Sequence, residues 1–211
     1  MVFRDRAEAG RLLAAAIGKQ TALTAGPRLV VGLPRGGVVV GAEVAAVLGL
    51  PLEIMVTRKI GAPYQPEAAI GAVTQDGALI LDEELVARVR ISRDYIEAER
   101  ARQVAEIERR LAILRGDRPP VAWHGREVVL VDDGIATGFT IRAAVNGLRA
   151  EGVAAIWLAV PVASREAAAS LRRIVDRFTA LLVPEDFIAV GQFYEDFREI
   201  EEEEIQILLS T

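Results

Sequence analysis

The chain has 211 residues, 52% of them hydrophobic, so it can bury roughly 70% of the surface its unfolded form exposes, which excludes general disorder. Twenty-five basic residues against 30 acidic ones give a net charge of −5, which argues against a nucleic-acid-binding surface. With no cysteine and one histidine, His124, disulfides, thiol catalysis, cysteine-ligated metals and multi-histidine metal sites are excluded. In chain order, residues 4–24 read as a helix with Leu12, Leu13, Ala16 and Ile17 on one side, stopped by Gly26-Pro27. Leu29-Val30-Val31-Gly32-Leu33 suits a strand buried on both faces. A turn Pro34-Arg35-Gly36-Gly37, a helix over 38–48 and a second buried strand over 52–56 follow, which is the repeating unit of a parallel α/β sheet. Residues 57–66, rich in Gly, Pro and charge, read as a loop, and 70–81 as two short strands about the Asp76-Gly77 turn. Ser92 can cap a helix over 93–114, in which Val104, Ile107, Leu111 and Leu114 recur at helical spacing. The parallel pattern resumes with strands over 128–131, 155–160 and 180–183 and helices over 141–150 and 165–175. The expectation is one domain over 1–211, interrupted by a flap or subdomain over 57–126. Glu201 to Glu204 read as a solvated face. No apolar run approaches the ~20 residues that span a bilayer. The charged start MVFRDRAEAG does not suit a signal peptide, so the sequence predicts a soluble, cytoplasmic chain.

The string Val128 to Thr140, VVLVDDGIATGFT, concentrates the chemistry. Four apolar strand residues lead into Asp132 and Asp133, then through a loop of small residues into a helix. Open α/β sheets bind ligands beyond the carboxyl ends of their strands. A helix N-terminus preceded by glycine offers amide groups and the positive end of the helix dipole to an anion. Gly138 lets the backbone approach a phosphate, and Thr137 and Thr140 add hydroxyl donors. Asp132 and Asp133, one turn away, can accept from vicinal hydroxyls or hold a magnesium ion. Adjacent aspartates alone often cap a turn, and a phosphorylated sugar is what the whole string describes. Neither G-K-[ST] nor GxGxxG occurs.

This string resembles the ribose-phosphate signature of type I phosphoribosyltransferases: an apolar strand, two acids, and a loop ending Ala-Thr-Gly-x-Thr. The resemblance implies a Rossmann-like parallel sheet flanked by helices, with an inserted flap and a C-terminal hood over 184–211. It implies 5-phosphoribosyl-1-diphosphate as sugar donor, with Mg²⁺. Ala136, Thr137, Gly138, Phe139 and Thr140 match the 5′-phosphate loop, and Asp132 and Asp133 the acids on the ribose hydroxyls. Gly32 to Gly37 is similar to the family's diphosphate loop, in which a strained, often cis, peptide aims amides at the diphosphate. Arg35 supplies charge there, and Gly36 permits close approach; alone, Pro-Arg-Gly-Gly would be a plain turn. Arg58 and Lys59 match the basic residues that reach the diphosphate ahead of a closing loop, placed here within 60–78. Glu67, in that stretch, is either a ligand contact or a surface residue. Residues 183–191 are similar to the base-binding segment of hypoxanthine-guanine phosphoribosyltransferases, with Phe187 as the aromatic that stacks on the base, or else as a core residue. Two features depart from that branch: Val160-Pro161-Val162 stands where it has a lysine, and Glu195 near where it has an aspartate. Residues 79–126 match nothing in the well-known branches.

The reaction so implied is displacement at the anomeric carbon, with transfer of phosphoribose to a purine or pyrimidine base. Arg35, Lys59 and Asp133 are the candidate catalytic residues, and Asp132 and Asp133 the candidate metal contacts. The alternative is a non-catalytic regulator of the same fold that senses the sugar diphosphate or a nucleotide. The family is often dimeric, so a homodimer is an open expectation.

Overall fold

The computed structural model describes every residue except Met1, Leu23, Asp76, Asp117, Pro120 and Thr211, and except the side chains of Pro66, Glu67 and Ala68. Near-continuous apolar runs build the central layer. Strands β1 (Arg28–Gly32), β2 (Leu52–Ile54), β6 (Glu127–Val131), β7 (Ala155–Val162) and β8 (Arg177–Leu182) pair in parallel in the order β2-β1-β6-β7-β8. The register sets Val30 beside Val129 and Gly32 beside Val131. Alternate residues of each strand face opposite layers. Val30, Val129 and Val131 join one core with Leu13 and Ile17 of helix α1 (Arg6–Gly18) and Val40 and Val44 of α2 (Gly36–Leu48). Leu29, Val31, Val128 and Leu130 join the other with Ile141 and Leu148 of α5 (Phe139–Ala150) and Leu171 of α6 (Arg165–Leu171). The chain leaves β1 toward β2 on one side, whereas β6 leads to β7 and β8 on the other. The topological switch point therefore falls between β1 and β6, where ligands of such sheets bind.

The inserted segment differs from its expected form. Residues 57–66 are not a loop: Thr57–Ala62 forms β3, antiparallel to β4 (Gln65–Thr74), which pairs in turn with β5 (Leu79–Leu81). Ile60 is fully buried and anchors the strand in the core, while register shifts on either side of Gly61 absorb the glycine-rich irregularity. The second hairpin turns where expected, with Gly77 in the left-handed region (φ 78°) donating to the Thr74 carbonyl at 2.9 Å; Asp76 lies outside the described residues. Helix α3 (Glu83–Val89), capped by Asp82, has no counterpart in the sequence reading. Helix α4 (Arg93–Arg115) starts at Ser92, whose hydroxyl accepts the Tyr95 amide. Its far end returns to the sheet. Glu53, fully buried on β2, takes Arg115 Nη2 at 3.2 Å and the Val121 amide at 3.0 Å.

Three further boundaries move. Helix α1 ends at Gly18 rather than near 24: Lys19, Gln20 and Ala22 favour a helix, but none of the described residues over 19–24 is buried, so no packed face extends it. Helix α6 ends at Leu171 rather than 175, and β8 starts at Arg177. The acidic run is solvated, with Glu201 and Glu203 exposed and Glu202 and Glu204 half-buried, and Glu202, Glu203 and Glu204 form the first turn of α7 (Glu202–Ser210), where negative charge complements the helix dipole. Ile205 and Leu209 of that helix pack into the core beside α2. Among the described residues no helix is long and apolar enough to cross a membrane.

Candidate functional site

Strand β6 is buried along its whole length and delivers Asp132 and Asp133 to the switch point. The loop beyond is pinned at both ends: the Ile135 amide donates to the Val162 carbonyl at 2.9 Å, and the Ser164 hydroxyl to the Ala136 carbonyl at 2.7 Å. Between these pins Ala136 and Thr137 are exposed. Gly138, the N-cap of α5, adopts φ 81°, a conformation that disfavours any side chain. It turns the chain so that Phe139 and Thr140 enter the helix with first-turn amides outside the intrahelical ladder. Thr140 is exposed and Phe139 half-buried.

The β1–α2 connection seats directly on the acid pair. The Pro34-Arg35 peptide is cis. A Cβ on Gly36 would collide with Asp133 Oδ2 and lie 2.6 Å from Arg6 Nε, so no larger residue leaves that contact intact. The guanidinium of Arg35 pairs with Glu199 of the C-terminal segment.

The two carboxylates sit in different company. Asp132 Oδ1 accepts the Asp133 amide at 2.9 Å. Burial pushes its carboxyl well above the ordinary carboxylate range, and the neighbouring Asp133 charge adds to that. Burial raises Asp133 as well, against Arg6, whose Nε donates to Asp133 Oδ2 at 2.8 Å. Arg6 is 8% exposed; its guanidinium lies 3.9 Å over the Phe197 ring, and its Nη1 donates to the Arg198 carbonyl. Tyr194 Oη donates to the Asp133 carbonyl at 2.6 Å, and burial raises its phenol, keeping it a neutral donor. Arg6 is invisible to motif reading. It stands 127 positions from Asp133 on the first helix, and no local pattern marks it. Tyr194 and Phe197 show in the sequence only as aromatic neighbours of Glu195.

The remaining expected residues divide. Arg35, Arg58 and Thr140 line one cleft of about 340 Å³. Lys59 is exposed on β3 and, by strand alternation, on the face opposite Arg58; it does not line that cleft. Phe187 is half-buried and stacks on Phe193 at 5.7 Å. Glu67 lies on β4 with its side chain outside the described residues. His124 is exposed ahead of β6, at the opposite end of the strand from the acids. A larger groove, about 830 Å³, lies between α2 and α7 and is lined mainly by apolar residues such as Val39, Leu50 and Leu208. None of the motif residues lines it, so volume alone does not locate the chemistry.

Asp132 and Asp133 are hard oxygen donors, as Mg²⁺ requires. Among the described residues they are not part of any group of three potential ligands. That set suits an ion that arrives on a polyphosphate substrate rather than one caged by protein.

Residues 5–198 match the phosphoribosyl transferase domain family. A Mycobacterium tuberculosis protein (strain H37Rv), provisionally named phosphoribosyl transferase Rv0571c, is 38% identical over 208 residues, which cover 99% of this chain and 46% of the relative. The chain thus spans about half the length of the curated relatives it matches. The crystal structure of TT1426 from Thermus thermophilus superposes with a TM-score of 0.84 at 45% identity, covering 99% of this chain and 98% of that one. A purine phosphoribosyltransferase from Pyrococcus horikoshii superposes at 0.51 with 15% identity, covering 93% and 92%, a likeness of fold. Motif, topology and the length of the family match converge, and the chain belongs to the phosphoribosyl transferase family.

Proposed function

We propose that the protein transfers the phosphoribosyl group of 5-phosphoribosyl-1-diphosphate to a nitrogenous base, purine or pyrimidine, and releases diphosphate. The bond between the anomeric carbon and the diphosphate oxygen breaks, its electron pair leaves with diphosphate, and the base nitrogen bonds to that carbon as its proton passes to solvent or the departing diphosphate. The observation that carries this reading is the docking of the Gly36 turn against the Asp132-Asp133 pair at the switch point, beside the N-terminus of α5. The α5 amides with Thr137 and Thr140 hold the 5-phosphate. Asp132 and Asp133 accept from the ribose hydroxyls, and Arg35 and Arg58 face the diphosphate, with Lys59 near the hairpin start. Asp132 and Asp133 would hold Mg²⁺ brought by the donor, and the ion would supply charge neutralisation on the leaving group. Phe187 offers the base a ring face at the hood. Held by Arg6, Asp133 orients the sugar rather than taking a proton.

That same Arg6 pair favours a second reading, a regulator that binds the donor without turning it over. Calorimetry with the Mg²⁺-loaded donor, followed by a diphosphate-release screen over bases, separates the two. Binding lost in Asp132→Asn/Asp133→Asn, plus release with one base, supports transfer. Binding without release from any base selects the regulator, and unaltered affinity in the double variant overturns both.

A further inference from the structure

Helix α4 lies in the part of the insertion that the family motifs leave without a role, and its contacts are specific. Tyr95 Oη donates to the Gly61 carbonyl at 2.9 Å and Arg100 Nε to the Gly77 carbonyl at 2.8 Å, so the helix grips the antiparallel hairpin at two turns. At a third point Gln103 Oε1 accepts Arg58 Nε at 3.0 Å. Gln103 is itself held: its Nε2 donates to Glu99 Oε1 at 2.7 Å, and Arg102 grips Glu99 through two bonds of 2.7 and 2.9 Å. Glu99 and Gln103 are each only 8% exposed. This buried chain fixes a cation that would otherwise swing on a long side chain.

Two turns beyond Gln103, on the same face of α4, stands Arg110. It lines the cleft that Arg35, Arg58 and Thr140 also line. Burial holds Arg58 below its ordinary basicity, and the Arg110 charge lowers it further. Three guanidiniums from three separate elements thus converge on one cleft. Two of the three are paired, Arg110 Nε with Glu106 at 2.9 Å and Arg35 with Glu199, and Glu202 also lines the cleft; Arg58 forms no ion pair among the described residues, and an anion entering there competes with these carboxylates for the other two.

We infer that α4 completes the diphosphate seat: Arg110, beside an Arg58 positioned by Gln103, binds the leaving diphosphate across the cleft from Arg35. This rests on the donor reading above and extends it to a helix that carries no family motif. Arg110 is a binding residue and Gln103 a positioning residue. An anion lodged between Arg58 and Arg110 relieves their repulsion and gains charge-assisted hydrogen bonds from both.

Calorimetry on Arg110→Gln and Gln103→Leu with three probes tests it: the Mg²⁺-loaded sugar diphosphate, inorganic diphosphate and ribose 5-phosphate. Each variant should lose about tenfold affinity for the two diphosphates and keep that for ribose 5-phosphate, and Arg110→Lys should recover part of the loss. A merely structural role would weaken all three probes together, and that result overturns the inference. So does unchanged diphosphate binding in a protein whose parent binds the donor. If the parent binds inorganic diphosphate through Arg110 but not the sugar diphosphate, the seat stands and the donor reading falls.

Discussion

At the scale of single residues the site is held in a state that folding alone does not favour. Asp132 is half-buried at a strand end, forms no ion pair among the described residues, and has a carboxyl raised by desolvation and by Asp133. A carboxyl whose folded value lies above its unfolded one binds more protons folded than unfolded. Its contribution is therefore most favourable below the unfolded value and is lost as pH rises through the folded one. At neutral pH the ionised form costs stability, a cost that the proposed donor with its magnesium would offset on binding. Asp132→Asn keeps an oxygen for the Asp133 amide and removes the charge. It should raise Tm by about 2–4 °C at pH 7, with the gain shrinking as pH falls to the ordinary carboxylate range, while donor binding is lost. Thermal melts at pH 7 and pH 4 check this; a Tm below the parent's at pH 7 contradicts it. Asp132 is legible in the sequence because its neighbours are contiguous. Arg6 is not, because the partner of Asp133 is chosen by how α1 lies on the sheet.

At the scale of elements, strands buried on both faces announce themselves as apolar runs, and Val128 to Val131 falls where the pattern places it. The β3 strand does not, since its glycine and charges mimic a loop and only pairing with β4 and burial of Ile60 make it a strand. Helix α7 is hidden by four consecutive glutamates, which read as surface until Ile205 and Leu209 are seen to pack on the core. The hairpin and α4 depend on each other through few bonds, so their coupling is measurable. Tyr95→Phe deletes the donor to Gly61 and leaves the ring in place. It should cost about 1 kcal/mol, seen as a lower denaturant midpoint with an unaltered m-value, and should speed amide exchange in β3. An unmoved midpoint would show that the hairpin holds its place without this bond.

At the scale of the whole molecule the net charge of −5 stands at odds with the polyanionic substrate proposed above. The fold resolves this by local concentration: three arginines drawn from the first connection, the hairpin and the insertion helix meet at one cleft, although Glu199 and Glu106 pair with two of them. Composition counts those charges but does not place them, and so it reads against an anion site as large as nucleic acid without bearing on a small one. Glu202 lines the same cleft from the first turn of α7 without pairing with any of the three arginines. Its charge favours the dipole of its own helix by roughly 0.3–1 kcal/mol and repels an anion in the cleft. Glu202→Gln removes the repulsion and keeps the side chain's size. Affinity for inorganic diphosphate should rise about threefold at low ionic strength and the gain should fade near 0.5 M salt, because exposed charges are screened over a few ångströms there. The helix loses part of its N-terminal support, so Tm should fall slightly as binding tightens, and these opposite signs separate a field effect from a general change in stability. Calorimetry at two salt concentrations beside a thermal melt reads both quantities. Equal affinity for parent and variant at low salt would mean that the anion does not occupy this cleft.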